Sequence, residues 1–495
     1  MSCFEGRVKE LGSVSIDCFQ YSNLQSTVYF LSHCHSDHMG GLRSEAFLKR
    51  LGISNDIYLY CSEITRLILS AENTFSEVLH KIKDLPLGAS NIVPIPDRDG
   101  FVDDVTVTLI PTGHCPGAVM FLFEGRVGRI LYTGDFRLSK GDTPKFRQLH
   151  YLDGTVKTID KLYLDTTFLS YQYKEFPSRI DSFDIMCYHI TSWLDDSDDN
   201  HVYIQTPAKY GSEALFIAVA KRLGSKVHVK ETAYDIYKNV AEIREAVTFD
   251  SFSTRIHCCE PLKPTYRKDG DKLWMPCIGK WCNVRFIRPC AMTFKSGIYN
   301  GSLESAVLKA NGQELIRICY SCHCSLRELE DFIKYLKPKQ IEACVLPPGM
   351  ADTNIMQLLE EVSTWDNSSE RPVLTIPSRN MKRVTHAENI TFCSDVATKK
   401  VVVKTEISSD AMFVEDDIAQ AEDDDDVISD SQKEICRLVA EDLMPKSGDS
   451  DADIRQSISA TFLENVIQLK KSVPSSKQND QHYQFIPGTG TMEYD

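Results

Sequence analysis

The run His33-Cys34-His35-Ser36-Asp37-His38 places four potential metal ligands in six residues, directly after the apolar stretch Val28-Tyr29-Phe30-Leu31. Side chains alternate along a strand, so H-x-H at a strand end points two imidazoles the same way. Asp37 and His38, in the turn that follows, can reach a second ion beside the first. Zinc takes nitrogen and oxygen donors, and a catalytic site leaves one position open for water. The chemistry announced here is two-metal hydrolysis. A zinc finger is the competing reading, but it needs cysteine pairs at a set spacing, and none accompanies this stretch.

Two further residues sit where strands should end. The buried-strand pattern Val105 to Ile110 runs into Pro111-Thr112-Gly113-His114-Cys115-Pro116-Gly117, and Arg129 to Tyr132 runs into Thr133-Gly134-Asp135. Glycines beside His114 and Asp135 let the backbone turn sharply. Alone, a histidine in such a loop is more often a satisfied turn residue. After H-x-H-x-D-H it reads as a ligand, with Asp135 able to bridge two ions. Val14-Ser15-Ile16 likewise ends in a carboxylate, Asp17.

Taken in order, Asp17, His33/His35/Asp37/His38, His114 and Asp135 resemble the metallo-β-lactamase fold. The resemblance implies an α/β chain with a four-layered αββα sandwich. It implies one metal on His33, His35, His114 and Asp135, a second on Asp37, His38 and Asp135, and Asp17 orienting a ligand imidazole from behind. The string Leu164-Asp165-Thr166-Thr167-Phe168 resembles the first motif of the β-CASP nucleases, the branch of this fold that acts on DNA and RNA. That carries a place near the metals over to Asp165. In Ser321-Cys322-His323-Cys324-Ser325, His323 is placed by motif to protonate a leaving oxygen. A metal knuckle is the other reading of those cysteines.

The elements that must position these residues divide the chain. Residues 1–155 read as short strands with one or two helices, the first part of the sandwich; Ser44 caps a helix to Leu51, and another spans Glu63 to Ala71. Residues 156–312, opening at the strand Lys161 to Leu164, read as the β-CASP domain, with alternating helices and strands that suggest a small parallel sheet. Its helices are expected after Ser178, from Gly211 to Leu223, and over Ala233–Ala246, and its strands at Val202–Ile204, Lys226–Val229, Ser253–Ile256 and Ala291–Phe294. Residues 313–384 return to the sandwich with a strand at Glu314–Tyr320 and a helix at Leu326–Leu336. Residues 385–495 read as a disordered acidic tail, with amphipathic segments at Glu434–Leu443 and Ile458–Leu469 and an SQ dipeptide at Ser431.

Within the cap, His228, His257, Cys259 and Cys277 bring two imidazoles and two thiols, a set suited to a closed tetrahedral zinc site with a stabilising role. Ordinary buried Cys and His are the alternative that the residues alone leave open. The contexts V-H-V, I-H-x-C and P-C match a ligand set carried within the β-CASP branch, and the resemblance implies the structural zinc, with Cys258 a bystander. Lys209 and Lys295 are plausible phosphate contacts or simply solvated lysines.

At 495 residues and 42% hydrophobic content the chain suits two or more globular domains. No apolar run is long enough for a membrane span, and no secretory signal is indicated. Seventeen cysteines, an odd number, fit reduced thiols and metal ligands better than a disulfide framework. The net charge of −15 argues against nucleic acid only until it is located: residues 401–495 hold 8 Lys+Arg against 21 Asp+Glu, or −13, which leaves −2 for residues 1–400. Since metals would cancel several of the remaining acids, a phosphodiester substrate is not excluded.

Over roughly residues 1–380 the strings S-x-F-E-G, Y-F-L-S-H-C-H-x-D-H-M, G-H-C-P-G-x-V-M-F-L-F, L-Y-T-G-D-F-R-L and Y-L-D-T-T-F resemble the DNA cross-link repair branch of the β-CASP nucleases. This implies a nuclear DNA endonuclease with 5′-3′ exonuclease activity. It would open hairpins and trim overhangs in double-strand break repair by non-homologous end joining, with DNA-dependent protein kinase or other end-joining factors as partners. One or two catalytic zinc ions and one structural zinc are implied, with magnesium or manganese possible for activity. A cross-link repair 5′ exonuclease and an RNA-processing endonuclease are the same-fold alternatives. Ser36 stands where a member of that branch has lysine, and the tail is short and acidic without an evident ligase-binding segment.

Overall fold

The computed structural model describes residues 2–53, 55–96, 101–206, 211–238, 240–259, 272–310, 315–347, 349–364 and 371–377. All lie in the unit Met1–Asp442.

Strands β1 (Val14–Ile16), β2 (Val28–Phe30), β3 (Tyr58–Ser62) and β4 (Ile82–Leu85) form a parallel sheet in chain order. β5 (Ser90–Pro96), β6 (Val102–Pro111), β7 (Val119–Gly125) and β8 (Gly128–Tyr132) make an antiparallel meander, and β9 (Lys161–Leu164) adds parallel to β8. The β7 run Val119-Met120-Phe121-Leu122-Phe123 is apolar throughout because both faces of its sheet are covered. Val119, Phe121 and Phe123 pack with Val14, Ile16, Val28 and Phe30 of the first sheet. Met120 and Leu122 point the other way, into the layer of the returning helices.

Helices α1 (Glu45–Ile53) and α2 (Glu63–Ser70) flank the first sheet. Ser44 Oγ accepts from Phe47 N and Ser62 Oγ from Thr65 N, so each start has its cap. Phe47 stacks edge-on to Tyr29, which β2 turns outward.

Past β9 the chain builds its cap from α3 (Arg179–Leu194), β10 (Asn200–Ile204), α4 (Glu213–Leu223), β11 (Val227–Val229), α5 (Glu231–Tyr237), α6 (Ala241–Ala246), β12 (Val247–Thr248), β13 (Ile256–Cys258), β14 (Leu273–Met275), β15 (Lys280–Cys290), β16 (Val307–Ala310) and β17 (Leu315–Cys319). The sheet order is β12-β11-β13-β10-β15-β17-β16, parallel except for β16, with β14 antiparallel on β15. A capping box between Ser178 and Asp181 starts α3. Then α7 (Leu326–Leu336), β18 (Gln340–Ala343), α8 (Asp352–Val362) and β19 (Val373–Thr375) return, and β18 pairs parallel with β9. Leu326, Leu329, Phe332, Ile333 and Leu336 give α7 one apolar face, laid on the outer side of the seven-stranded sheet. The layers are therefore helix, sheet, sheet, helix.

Several elements lie elsewhere than expected. Lys161–Leu164, expected to open the cap segment, is an inner strand of the sandwich, hydrogen-bonded on both sides. Glu314–Tyr320, expected in the sandwich, supplies β17 of the cap, with Ile287 beside Ile316. A short apolar strand reads alike in either sheet, and only its partners distinguish them. The helix expected over Ala233–Ala246 is two, because Val240 is extended at φ −110° and ψ 110°. The strand at Ser253–Ile256 begins instead at Ile256, and Ala291–Phe294 forms a turn after β15. Lys209, Ser431 and the two tail segments lie outside the described residues.

Candidate metal centre

All the sandwich residues singled out for chemistry follow the C-terminal ends of strands: Asp17 after β1, the His33–His38 loop after β2, His114 after β6, Asp135 after β8 and Asp165 after β9. Parallel register keeps these ends level, Ile16 beside Phe30 and Tyr132 beside Tyr163. Three loops then converge on one oxygen. Asp135 Oδ2 lies 3.3 Å from His38 Nε2, 3.5 Å from His114 Nε2 and 3.7 Å from His33 Nε2. His35 Nδ1 is 2.9 Å from His114 Nε2.

The other nitrogen of each ring is tied back into the protein. His33 Nδ1 meets Ser32 Oγ at 2.9 Å, His38 Nδ1 meets Asp17 Oδ2 at 2.8 Å, and His114 Nδ1 donates to the Cys322 carbonyl at 3.0 Å. That leaves each Nε2 facing the centre. The Nε2 atoms of His33 and His38 are buried and have no hydrogen-bond partner among the described residues. Orphaned polar atoms in a dry pocket cost free energy unless something binds them. A divalent ion about 2.1 Å from each donor would set neighbouring ligand atoms about 3.4 Å apart, close to the spacing observed. The donor set therefore fits a divalent metal.

Asp17 stands behind these ligands in a left-handed backbone conformation. It is buried at φ +54° and accepts from Ser32 N at 2.7 Å, Ser32 Oγ at 2.6 Å and Tyr132 Oη at 2.9 Å besides its contact with His38. A left-handed conformation at a non-glycine residue persists only when surroundings hold it, and Ser32, Tyr132 and His38 do so here. Asp37 is farther out, with Oδ2 3.9 Å from His38 Nε2 and accepting from Ser2 N at 3.2 Å.

Charges follow burial and neighbours. Burial, then the adjacent imidazoles, hold His33 and His114 well below the ordinary histidine range. Burial would lower His38 too, but Asp135 and Asp17 outweigh it and raise it well above that range. Asp135 would be raised by burial, yet His38 first and then His323 and His114 keep its carboxyl well below the usual range.

On the far side of His114 stands His323, its ring centroid 4.6 Å away. Its Nδ1 lies 2.8 Å from Asp165 Oδ2, while Asp165 Oδ1 accepts from Thr167 N at 2.9 Å and Thr167 Oγ1 at 2.6 Å. Burial works against the proton on His323, but Asp165 and then Asp135 raise it overall. Sequence reading passed over the clamp that sets this loop. Arg137, buried two residues past Asp135, donates to the Ser321 carbonyl at 3.0 Å, the Pro177 carbonyl at 2.9 Å and Glu328 Oε1 at 3.2 Å. Glu328 Oε2 in turn accepts from Ser325 N at 2.7 Å. The signal available was a lone arginine in T-G-D-F-R. Lys295 is exposed, on a turn whose Ser296 N donates to the Gln172 carbonyl at 2.6 Å.

The cap's His228, His257, Cys259 and Cys277 also come together, with ligand atoms within 4.8 Å of one another. Register places His228 beside His257 and His257 beside Tyr203. His257 Nδ1 is 3.1 Å from His228 Nδ1 and 3.7 Å from Cys277 Sγ. The two thiols split, Cys259 held down by a hydrogen bond from Cys277 and Cys277 pushed up by the same bond. His257 Nε2 meets His201 Nδ1 at 3.0 Å, a partner that sequence reading missed. Cys258 points to the opposite face, toward Thr206.

Residues 27–162 match the metallo-beta-lactamase superfamily, and residues 241–348 match the DNA repair metallo-beta-lactamase family. Protein artemis of Gallus gallus is 39% identical over 368 residues, 73% of this chain and 50% of that protein. Its Homo sapiens counterpart is 34% identical over 396 residues, 79% of this chain and 56% of the relative. DNA cross-link repair 1A protein of Mus musculus is 30% identical over 350 residues, covering 69% and 31%. The chain thus spans about half the length of the artemis proteins it matches.

Proposed function

The chain carries a metallo-β-lactamase domain with the DNA-repair insertion and is Artemis-like over 73–79% of its length, and we propose that it is a metal-dependent nuclease hydrolysing phosphodiesters in DNA. The observation that carries this is the convergence of three imidazole Nε2 atoms on Asp135 Oδ2 beside the His323–Asp165 pair. His33, His35, His114 and Asp135 would hold one divalent ion, zinc in our reading, and Asp37, His38 and Asp135 a second. Such an ion supplies Lewis acidity toward a phosphoryl oxygen and makes water nucleophilic near neutral pH.

The protein's own groups do the rest. Asp17, Ser32 and the Cys322 carbonyl fix the imidazoles so that no reorganisation is needed at the moment of reaction. Asp165 holds His323 by Nδ1 and leaves Nε2 to give a proton to the departing 3′ oxygen, so that the product carries a 5′ phosphate. His228, His257, Cys259 and Cys277 would hold a zinc whose role is to stabilise the cap. Lys295 and Lys209 are the candidate phosphate contacts.

By kinship, the substrates are hairpins, overhangs and broken ends, and the setting is non-homologous end joining in the nucleus beside DNA-dependent protein kinase. No helix among the described residues is long and apolar enough to cross a membrane. The test is to incubate purified protein with hairpin DNA, 5′-phosphorylated single-stranded DNA and RNA, with and without chelator. Chelator-sensitive hairpin opening is expected. Cleavage only from 5′ ends would favour the cross-link repair exonuclease, preference for RNA the processing endonuclease, and no cleavage of any would overturn the nuclease reading.

A further inference from the structure

β15 and β17 run side by side in parallel, and their register sets Arg288 directly beside Arg317. Alternation brings both out on one face, with Phe286 and Leu315 a step behind and Cys290 and Cys319 a step ahead. On the opposite face Ile287, Ile316 and Ile318 are buried. Across β17 the residue paired with Arg317 on β16 is Leu308, so no carboxylate stands there to answer the charge. Neither guanidinium has an ion-pair or hydrogen-bond partner among the described residues. Like charges at adjacent positions on neighbouring strands destabilise a sheet. Several other arginines meet a carboxylate, as Arg43 with Glu72, Arg222 with Asp184 and Arg137 with Glu328. Here, with Arg317 half-buried, two are left unanswered.

Their place on the fold says what would answer them. β17 runs on through Ser321 to His323, and β15 runs into the turn that carries Lys295. Arg317 stands six residues before His323, which an extended chain spans in about 20 Å. A nucleic-acid strand in a duplex carries a phosphate about every 3.4 Å of rise, so a contact there lies within about six nucleotides of a bond held at His323. Two planar guanidinium forks side by side suit the paired oxygens of phosphodiesters.

We propose that Arg288 and Arg317 form a phosphate-binding pair on the cap, outside the metal pocket, that holds a DNA strand leaving the site. This rests on the nuclease reading. The pair adds grip without touching the reacting atoms, so it governs how cleavage depends on substrate length and salt.

The test compares wild type, Arg288→Gln/Arg317→Gln and Arg288→Lys/Arg317→Lys. Binding to a nuclease-resistant phosphorothioate single strand is titrated across a salt series, and cleavage is followed on strands just shorter and well longer than the reach to the pair. Losing two phosphate contacts should lower the slope of log affinity against log salt by about 1.4. The glutamine variant should slow cleavage of the longer strand selectively, and the lysine variant should restore the slope while recovering only part of the affinity. An unchanged slope overturns the proposal, as does equal slowing on short and long strands, which would place the effect in the pocket or the fold. A wild type that neither binds nor cleaves DNA overturns the nuclease reading itself, and this proposal with it.

Discussion

The sandwich centre and the cap cluster are both sets of side chains able to hold a metal, yet they are built differently. The sandwich ligands come from separate loops past strand ends, offer nitrogen and oxygen, and open on one side to His323. In the cap, His228 and His257 sit within adjacent strands, Cys259 directly follows β13, and two sulfurs complete the donor set. Loop ends leave room for a substrate and a proton donor, whereas strand faces and thiolates make a closed shell. On the proposed reading, the place of the donors on a sheet would separate chemistry from cohesion within one chain.

The largest effect should come from removing a ligand at each centre. Asp135→Ala should cut cleavage about a thousandfold or more, because the several kcal/mol that a metal supplies is lost, while the melting temperature hardly moves. Cys259→Ser should do the reverse, releasing the cap's metal and lowering the melting temperature. Metal analysis, cleavage rates and thermal scans on the same preparations decide it. A Cys259→Ser protein that stays folded but loses cleavage would break the comparison.

His323→Gln should slow cleavage about 10²–10⁴-fold with bound metal unchanged, as befits a proton donor rather than a ligand. Lost metal would instead assign it to the shell. Arg137→Met should leave Glu328 buried and unpaired, at a cost of about 3–5 kcal/mol in urea unfolding. A cost under 1 kcal/mol would mean that the clamp is not what holds the His323 loop.

Smaller effects test the groups behind the ligands. Asp17→Asn and His201→Ala should each weaken metal binding about 10–100-fold, the first only in the sandwich and the second only in the cap. Chelator competition on both variants reads this, and crosstalk between the centres would count against their independence.

The least effect concerns Glu213, buried at the start of α4 and pushed up to about 7 chiefly by burial. A raised carboxyl contributes stability below its unfolded pKa and loses it as pH rises through the folded value. Glu213→Gln should therefore melt higher than wild type near pH 8, with the gain shrinking as pH falls through about 7 and gone below the ordinary carboxyl value of 4.5. Parallel melting curves would refute this.

Much of the site was legible in the residues because metal ligation demands particular side chains in a short run. His33, His35, His38, His114 and Asp135 needed no tertiary information to be suspected, and Asp165 and His323 followed by motif. What escaped was whatever acts through one ordinary group. Ser32 beside His33, Tyr132 behind Asp17, Arg137 under the His323 loop and His201 behind His257 are ordinary residue types whose partners lie in other segments of the chain, apart from Ser32, which stands next to His33. Of the fold, β6 was plain from the buried-strand pattern Val105 to Ile110, but β17 was assigned to the wrong sheet. Its five residues fix a strand and not the neighbours that strand will take.

The sequence by itself determined which donors exist, that they follow strands, and the chemical class they can serve, since ligand type and strand periodicity are local properties. Only the tertiary structure decided that three loops meet on Asp135 Oδ2, that Asp17 pays for its strained backbone with four hydrogen bonds, and that Arg288 lies beside Arg317. Those facts depend on sheet register, which is set by packing between residues far apart in the chain.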